Sequence, residues 1–482
     1  MGKPQSKLDE SSLPFATIPE LSQALRQHQI TSSELAKFFG KRLETIGPSL
    51  NALACSTMKR AKDDWGDVDY EFKRERFRGP LQGIPYGVKD LIAVAGYPTT
   101  WGAKPYANQT FEKDATVVDR LDGADAILIG KLSMIELAGG GGYSSASASL
   151  QGPGLNPWNL QHWAGGSSSG SGAAVAAGLV PFALGSETSG SILCPACFCG
   201  VTGLRPTYGL VSRHGAMALS WTLDKIGVLA RTAEDCALVL HVIAGNDSDD
   251  PGSAGKSFYY TPTWYQKISD LKIGYAAVDF SEWTDEPLRP AFSNALATVK
   301  SMGGQMVDSR LPDFPYGLVI GAIIGSEAAS IFEVFIRSGQ VEGLADQDQI
   351  AGFKASMNYS ALDYLKAMRV RAQIQVAFRK LFSDLDLLVA PTYFSLPDRA
   401  DQPFDESTPK HPDERGVGFG LVQASNLCGL PAITIPCGFV NGLPIGMQIV
   451  GPPFSENRII SFAREFQRRT EFHKQHPPAI TA

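Results

Sequence analysis

The sequence is short of charge, of cysteine and of long apolar runs. Charged residues make up 19% of its 482 positions and the formal net charge is −6. With no surplus of lysine and arginine there is no basic field for nucleic acid or an anionic membrane, so neither is expected as a partner. No apolar run approaches the roughly 18 residues of a spanning helix. Met1 to Phe15 lacks the charged, apolar and cleavage regions of a secretion signal, so a cytoplasmic location is expected. Seven cysteines in such a chain argue against a disulfide framework. Cys194, Cys197 and Cys199 resemble a metal motif, but Cys55, Cys236, Cys428 and Cys437 stand alone and supply no paired ligand. They are read as small buried apolar residues, and no metal or other cofactor is expected.

What is present is a concentration of glycine and serine. Gly165 to Gly172 and Gly185 to Ser191 flank a small-residue helix, Ala173 to Ala177, with Gly178 at its end. Glycine lets the backbone approach a ligand closely, and serine offers a hydroxyl that attacks a carbonyl once a base takes its proton. That is a catalytic composition. Upstream, Lys89 lies inside the apolar, strand-like segment Leu81 to Ile92, where burial would favour its neutral form and make it a base. A snorkelling lysine, or one paired with Asp90, fits the segment equally well.

Elsewhere the pattern alternates strand and helix, which points to α/β architecture. A capping box at Thr31 to Glu34 opens a helix through Leu43, and Asp125 to Gly130 is a buried strand. Gly139 to Gly142 then reads as the wall of a space that tolerates backbone only. Leu271 to Val278 predicts a strand, Pro290 to Met302 and Ala361 to Phe382 helices, and Leu385 to Ala390 a strand. Asn441-Gly442 is a hairpin signal, and Glu456 to Thr470 a final helix. Phe314 to Tyr359 shows mixed patterns and is not placed. Tyr393 to Arg415 reads as an irregular loop at the substrate entrance, and Asn246 to Ser257 as the best internal boundary. Residues 1–80 are expected to form an N-terminal helical segment packed on a core of residues 81–482, one compact body overall.

Taken together, Gly87-Val88-Lys89-Asp90, Gly165-Gly166-Ser167-Ser168 and Gly185 to Ile192 resemble the GVKD, GGSS and GTDTGGSI elements of the amidase signature family. The likeness continues through Gly203 to Thr207, Asn426 to Pro436 and Gly442 to Gly451. It implies a central mixed, twisted β-sheet covered by helices on both faces. It also implies a serine hydrolase that cleaves C–N bonds of amides and anilides, and also esters and carbamates (urethanes), through an acyl-enzyme. Carried over residue by residue, Ser191 would be the nucleophile, Ser167 a proton relay on a cis peptide, and Lys89 the base. Backbone amides of Thr188, Ser189, Gly190 and Ser191 would form the oxyanion hole. Neutral lysine at such a site costs roughly 4 kcal/mol, which a dry pocket with hydroxyl partners can supply.

Some positions depart from the family. Ser189 replaces a glycine, Glu187 an aspartate, and Leu193-Cys194 stand where many members have Arg and Gln. The lost charge beside Ser191 argues against acidic substrates. Ala138, Gly139, Gly140, Gly141, Leu193, Tyr393 and Phe394 are the expected substrate-binding residues. The expected partner is therefore a small amide, ester or carbamate, with a homodimer left open. Two alternatives remain: the A subunit of glutamyl-tRNA amidotransferase acting as a glutaminase, and a non-catalytic binding protein on the same fold. A third arrangement, Gly166-Ser167-Ser168-Ser169-Gly170 as GxSxG with Ser168 as nucleophile, needs a preceding strand, which Asn159 to Ala164 does not suggest. It also needs a histidine from among His411, His473 and His476.

Overall fold

A computed structural model describes residues 12–262, 267–404, 417, 418 and 420–478. Its strands in chain order begin with β1 (Leu53–Ser56), β2 (Pro85–Lys89) and β3 (Ile127–Leu132), then β4 (Leu155–Asn156) and β5 (Asn159–Trp163). There follow β6 (Phe182–Glu187), β7 (Thr202–Arg205), β8 (Lys225–Ala230), β9 (Lys272–Tyr275) and β10 (Gln305–Asp308). The last are β11 (Leu387–Pro391), β12 (Ala432–Val440) and β13 (Leu443–Val450). Eleven of them form one sheet in the order β1-β3-β2-β6-β8-β7-β12-β13-β11-β9-β10, and β4 and β5 pair as a separate ribbon.

The sheet is mixed: β2 runs parallel to β3 and β6, whereas β6, β8, β7, β12, β13 and β11 pair antiparallel in turn. Every residue of β2, β3, β8, β11 and β13 is buried, so both faces of the sheet are covered. The cover is helical. In chain order it comprises α1 (Ile18–Arg26), α2 (Ser32–Ile46), α3 (Met58–Lys73), α4 (Thr116–Gly123), α5 (Ser169–Ala176), α6 (Leu193–Cys199) and α7 (Ala233–Ile243). Then come α8 (Arg289–Ser301), α9 (Tyr316–Ile331), α10 (Glu333–Arg337), α11 (Gln347–Ser356), α12 (Ala361–Asp384), α13 (Leu421–Leu427) and α14 (Glu456–Arg469).

Local chemistry sets many of these boundaries. Thr31 caps α2 through the expected box with Glu34, and Thr17, Thr232 and Ser360 do the same for α1, α7 and α12. Asn441 and Gly442, with φ of 51° and 78°, make the tight turn between β12 and β13. No described helix is long and apolar enough to cross a membrane.

The structure also departs from the sequence reading. The first 80 residues are not helical throughout, because β1 joins the sheet edge beside β3. Helix α5 starts at Ser169, inside the first glycine/serine cluster, and β6 takes up Gly185 to Glu187 from the second. Asn159 to Trp163 is a strand after all. The unplaced stretch Phe314 to Tyr359 holds α9, α10 and α11. Asn246 to Ser257, read as the best internal boundary, is tied to α4 and its surroundings: the Arg120 guanidinium donates to the carbonyls of Ile243 and Asn246, and Asp247 accepts from Thr116 and Ser212.

Candidate active site

Three chain segments meet at the C-terminal ends of the parallel strands β2 and β6. Lys89 is the last residue of β2, and its side chain is fully buried. Its Nζ donates to Ser167 Oγ at 2.7 Å and to Ser186 Oγ at 3.0 Å. Burial lowers its pKa to about 7, against the pull of Asp224 and Glu187, which favour the charged form. The pairing of Lys89 with Asp90 does not occur. Asp90 instead meets Lys131 Nζ at 2.9 Å and accepts from the backbone and hydroxyl of Thr100.

Ser167 follows a cis Gly166–Ser167 peptide, and its carbonyl accepts from Ile135 N at 3.1 Å. Gly165 has a φ of 84°, and a Cβ there would stand 2.7 Å from the Pro195 backbone, so glycine is required for this close approach. Ser168 belongs to the scaffold. Its hydroxyl accepts from Ser186 N and donates to Ser186 O, while its own N–H donates to Ser191 O at 3.3 Å. That last bond ties the Ser167 loop to the Ser191 loop. Strand β5 supplies the extended segment that a Ser168 nucleophile would need, but the Ser168 hydroxyl is committed to this bridge. His473 packs by Arg231, with its pKa lowered by burial to about 4, and His476 stacks on Phe15. His411 lies outside the described residues.

Thr188 to Ser191 turn from β6 into α6. Gly190 has a φ of 91°, a conformation that favours glycine, and its carbonyl accepts from Cys194 N at 2.7 Å. Among the described residues, none of the four amides from Thr188 to Ser191 donates a backbone hydrogen bond. Below them Glu187 accepts from Ile192 N at 2.9 Å and Leu193 N at 3.0 Å, and it meets Arg205 at 2.6 Å and Asn426 at 2.8 Å. Burial alone would raise its pKa, but Arg205 and Asn426 outweigh burial and bring it to about 2. Glu187 is thus a permanently charged brace under the loop.

Cavities open on both sides of this loop. A cavity of about 280 Å³ is lined by Ala138, Ser186, Thr188, Met217, Leu219 and Asp224 among others. A larger cleft of about 1410 Å³ holds Ser189, Tyr393, Phe394 and Val422 in its wall. Other expected substrate contacts are placed differently. A Cβ on Gly140 would meet Leu219 and Phe353 at 2.7 Å, and one on Gly141 the Gln349 carbonyl at 2.7 Å, so these glycines admit α11 rather than widen a pocket. Leu193 is fully buried in an apolar cluster that includes Leu223, Ile323 and Leu421. Cys194, Cys197 and Cys199 lie buried on α6, and no group of three or more metal-ligating side chains occurs among the described residues. Sequence reasoning assigned no role to Ser186, although it lies in the second glycine/serine cluster, to Lys131, which meets Asp90, or to Asp224, which the pairing of β6 with β8 brings to Thr188.

The model of the Amidase family matches residues 34–460. The chain belongs to the amidase signature family. It is therefore an enzyme of the amidase class, acting on C–N amide bonds. It is 36% identical to the A subunit of the glutamyl-tRNA(Gln) amidotransferase of Carboxydothermus hydrogenoformans, over 96% of this chain and 99% of that protein. Among solved structures, it resembles a chain of a vestigial protein complex connected with the origins of an s-triazine catabolic enzyme, with a TM-score of 0.85, 29% identity, and coverage of 94% of this chain and 98% of that one. The peptide amidase of Stenotrophomonas maltophilia aligns with a TM-score of 0.78 and 27% identity, over 94% of this chain and 97% of the other. One expectation is overturned. Partners limited to small molecules, with nucleic acid excluded, do not agree with relatives that are subunits of an amidotransferase named for glutamyl-tRNA(Gln). Net charge describes the surface of this chain and says nothing of a second protein that could hold tRNA beside it.

Proposed function

We propose that the chain is the amidase component of a tRNA-dependent amidotransferase, cleaving the side-chain carboxamide of glutamine and delivering the nitrogen to a partner protein. Identity of 36% across nearly the full length of such an amidotransferase component supports this reading. Such a role is cytoplasmic, and residues 1–80 and 81–482 would act as one body.

The chemistry starts at the 2.7 Å contact of Lys89 Nζ with Ser167 Oγ. Neutral Lys89 takes the Ser167 proton as Ser167 takes that of Ser191, and Ser191 Oγ bonds to the amide carbon. The carbonyl oxygen, now negative, is met by the amides of Thr188 to Ser191. Collapse of this intermediate breaks the C–N bond, and the proton held on Lys89 returns through Ser167 to the departing nitrogen. Water then attacks the acyl-enzyme by the same route, releasing the acid and restoring Ser191 and neutral Lys89.

A second reading is favoured by Tyr393 and Phe394, aromatic side chains in the wall of the cleft that Ser189 also lines. It gives the same chemistry on amides, esters or carbamates with apolar groups. Hydrolysis of glutamine, a small anilide, an ester and a urethane, each with and without candidate partner proteins, separates the two. Partner-stimulated glutaminase activity supports the first reading. Anilide or urethane hydrolysis without glutaminase activity overturns it in favour of the second.

A further inference from the structure

Asp224 immediately precedes β8, and its two oxygens serve different elements. Oδ1 accepts from Thr188 Oγ1 at 2.6 Å, while Oδ2 accepts from Leu219 N at 2.8 Å and Ser220 N at 2.9 Å. Burial pushes the Asp224 carboxyl above its ordinary value, the three donors oppose that shift, and together they hold the group to one orientation. Thr188 is the first residue of the loop whose amides are unpaired, so its hydroxyl is the handle by which that loop is fastened to the 219–220 turn. Glu187 fastens the other end through the amides of Ile192 and Leu193.

We propose that Asp224 is a positioning residue, clamping Thr188 so that the loop amides stand ready around the carbonyl oxygen of the substrate. It does not touch the reacting atoms. Its charge has a second effect, because it faces Lys89 across the site and favours the protonated amine. The other charged groups in this field are Glu187, which also faces Lys89, and Lys225, Arg205, Arg213 and Arg371, which face the carboxylates or one another.

The inference rests on Ser191 being the nucleophile, and its test does not depend on knowing the substrate. A fluorophosphonate phosphonylates an activated serine, the Ser–O–P bond forming as fluoride leaves and the serine proton passes to the base. Its labelling rate is followed from pH 5 to 10 in the full chain. In Asp224→Asn the rate should fall about tenfold or more, since loss of a single oxyanion donor costs about 10²–10³-fold. The midpoint of the acid limb should also move to lower pH. Thr188→Val should slow labelling with the midpoint unmoved, and Thr188→Ser should restore the rate. Wild-type rate in Thr188→Val, or an unmoved midpoint in folded Asp224→Asn, overturns the proposal. If Asp224→Asn does not fold, the two Thr188 variants decide alone. Failure of the underlying reading looks different: labelling would persist in Ser191→Ala.

Discussion

Asp90 and Lys131 meet at 2.9 Å with both side chains wholly shielded from water. Burial presses each toward its neutral form, and the contact, with Thr100 on one partner and Thr99 and the Pro98 carbonyl on the other, opposes it. The pair engages the carboxylate next in sequence to Lys89, which leaves Lys89 with hydroxyl partners. Breaking a buried pair strands a charge, so Lys131→Met should cost about 3–5 kcal/mol in urea unfolding. Asp90→Asn/Lys131→Met should recover part of that loss. A single variant within about 1 kcal/mol of wild type would contradict this account.

The amine of Lys89 titrates near 10.5 when free and near 7 in the fold. Between those values the unfolded chain binds more protons, so this group makes stability rise with pH there and exacts its full penalty below about 7. Activity should likewise rise through about pH 7. Lys89→Met should lose activity yet gain on the order of a few kcal/mol in stability at pH 6. A flat rate profile from pH 6 to 9 would remove Lys89 from the mechanism.

Glu187 has the opposite sign. Its pKa falls from 4.5 to about 2, so its contribution is complete above pH 4.5 and is lost as pH drops toward 2. Glu187→Gln leaves Arg205 buried against a neutral partner. Thermal unfolding at pH 7 should show a large loss, about 3–5 kcal/mol, that shrinks when the comparison is made near pH 3. Equal losses at both pH values would refute the pairing as its source.

Within the Thr188 to Ser191 loop the two small residues should respond differently. Gly190→Ala places a Cβ at a φ of 91°, 3.2 Å from the Tyr393 hydroxyl and 3.3 Å from Val422. It should reduce kcat at least tenfold. Ser189→Gly needs no backbone change and should alter KM more than kcat. Steady-state kinetics on whichever amide proves active decides between these outcomes.

Much of this was legible in the residues. The Thr31 to Glu34 capping box, the Asn441-Gly442 turn and the three motifs carrying Lys89, Ser167 and Ser191 are local signals that survive in one dimension. Helix α9 hid because it has apolar residues on its exposed side, Leu318 among them, which blurs the helical period. Strand β5, Asn-Leu-Gln-His-Trp, has little strand-forming composition and owes its form to β4. Asp224 was invisible for a different reason. It reaches Thr188 only because β6 and β8 pair with Glu187 opposite Lys225, a relation no spacing encodes.

The C-terminal hairpin has a consequence for the order in which the molecule can be made. β12 pairs with β7 on one side, and β13 with β11 on the other, so these last strands bridge two blocks of sheet. Arg205 waits on the same segment, since its guanidinium is held by Ser425 and the Leu430 carbonyl. A nascent chain that has not yet emerged past residue 450 therefore carries two unfinished sheets with open edges, a state prone to wrong pairing. The brace under the Ser191 loop depends on the same late part of the chain, because Ser425, Asn426 and the Leu430 carbonyl hold Arg205 and Glu187 in place.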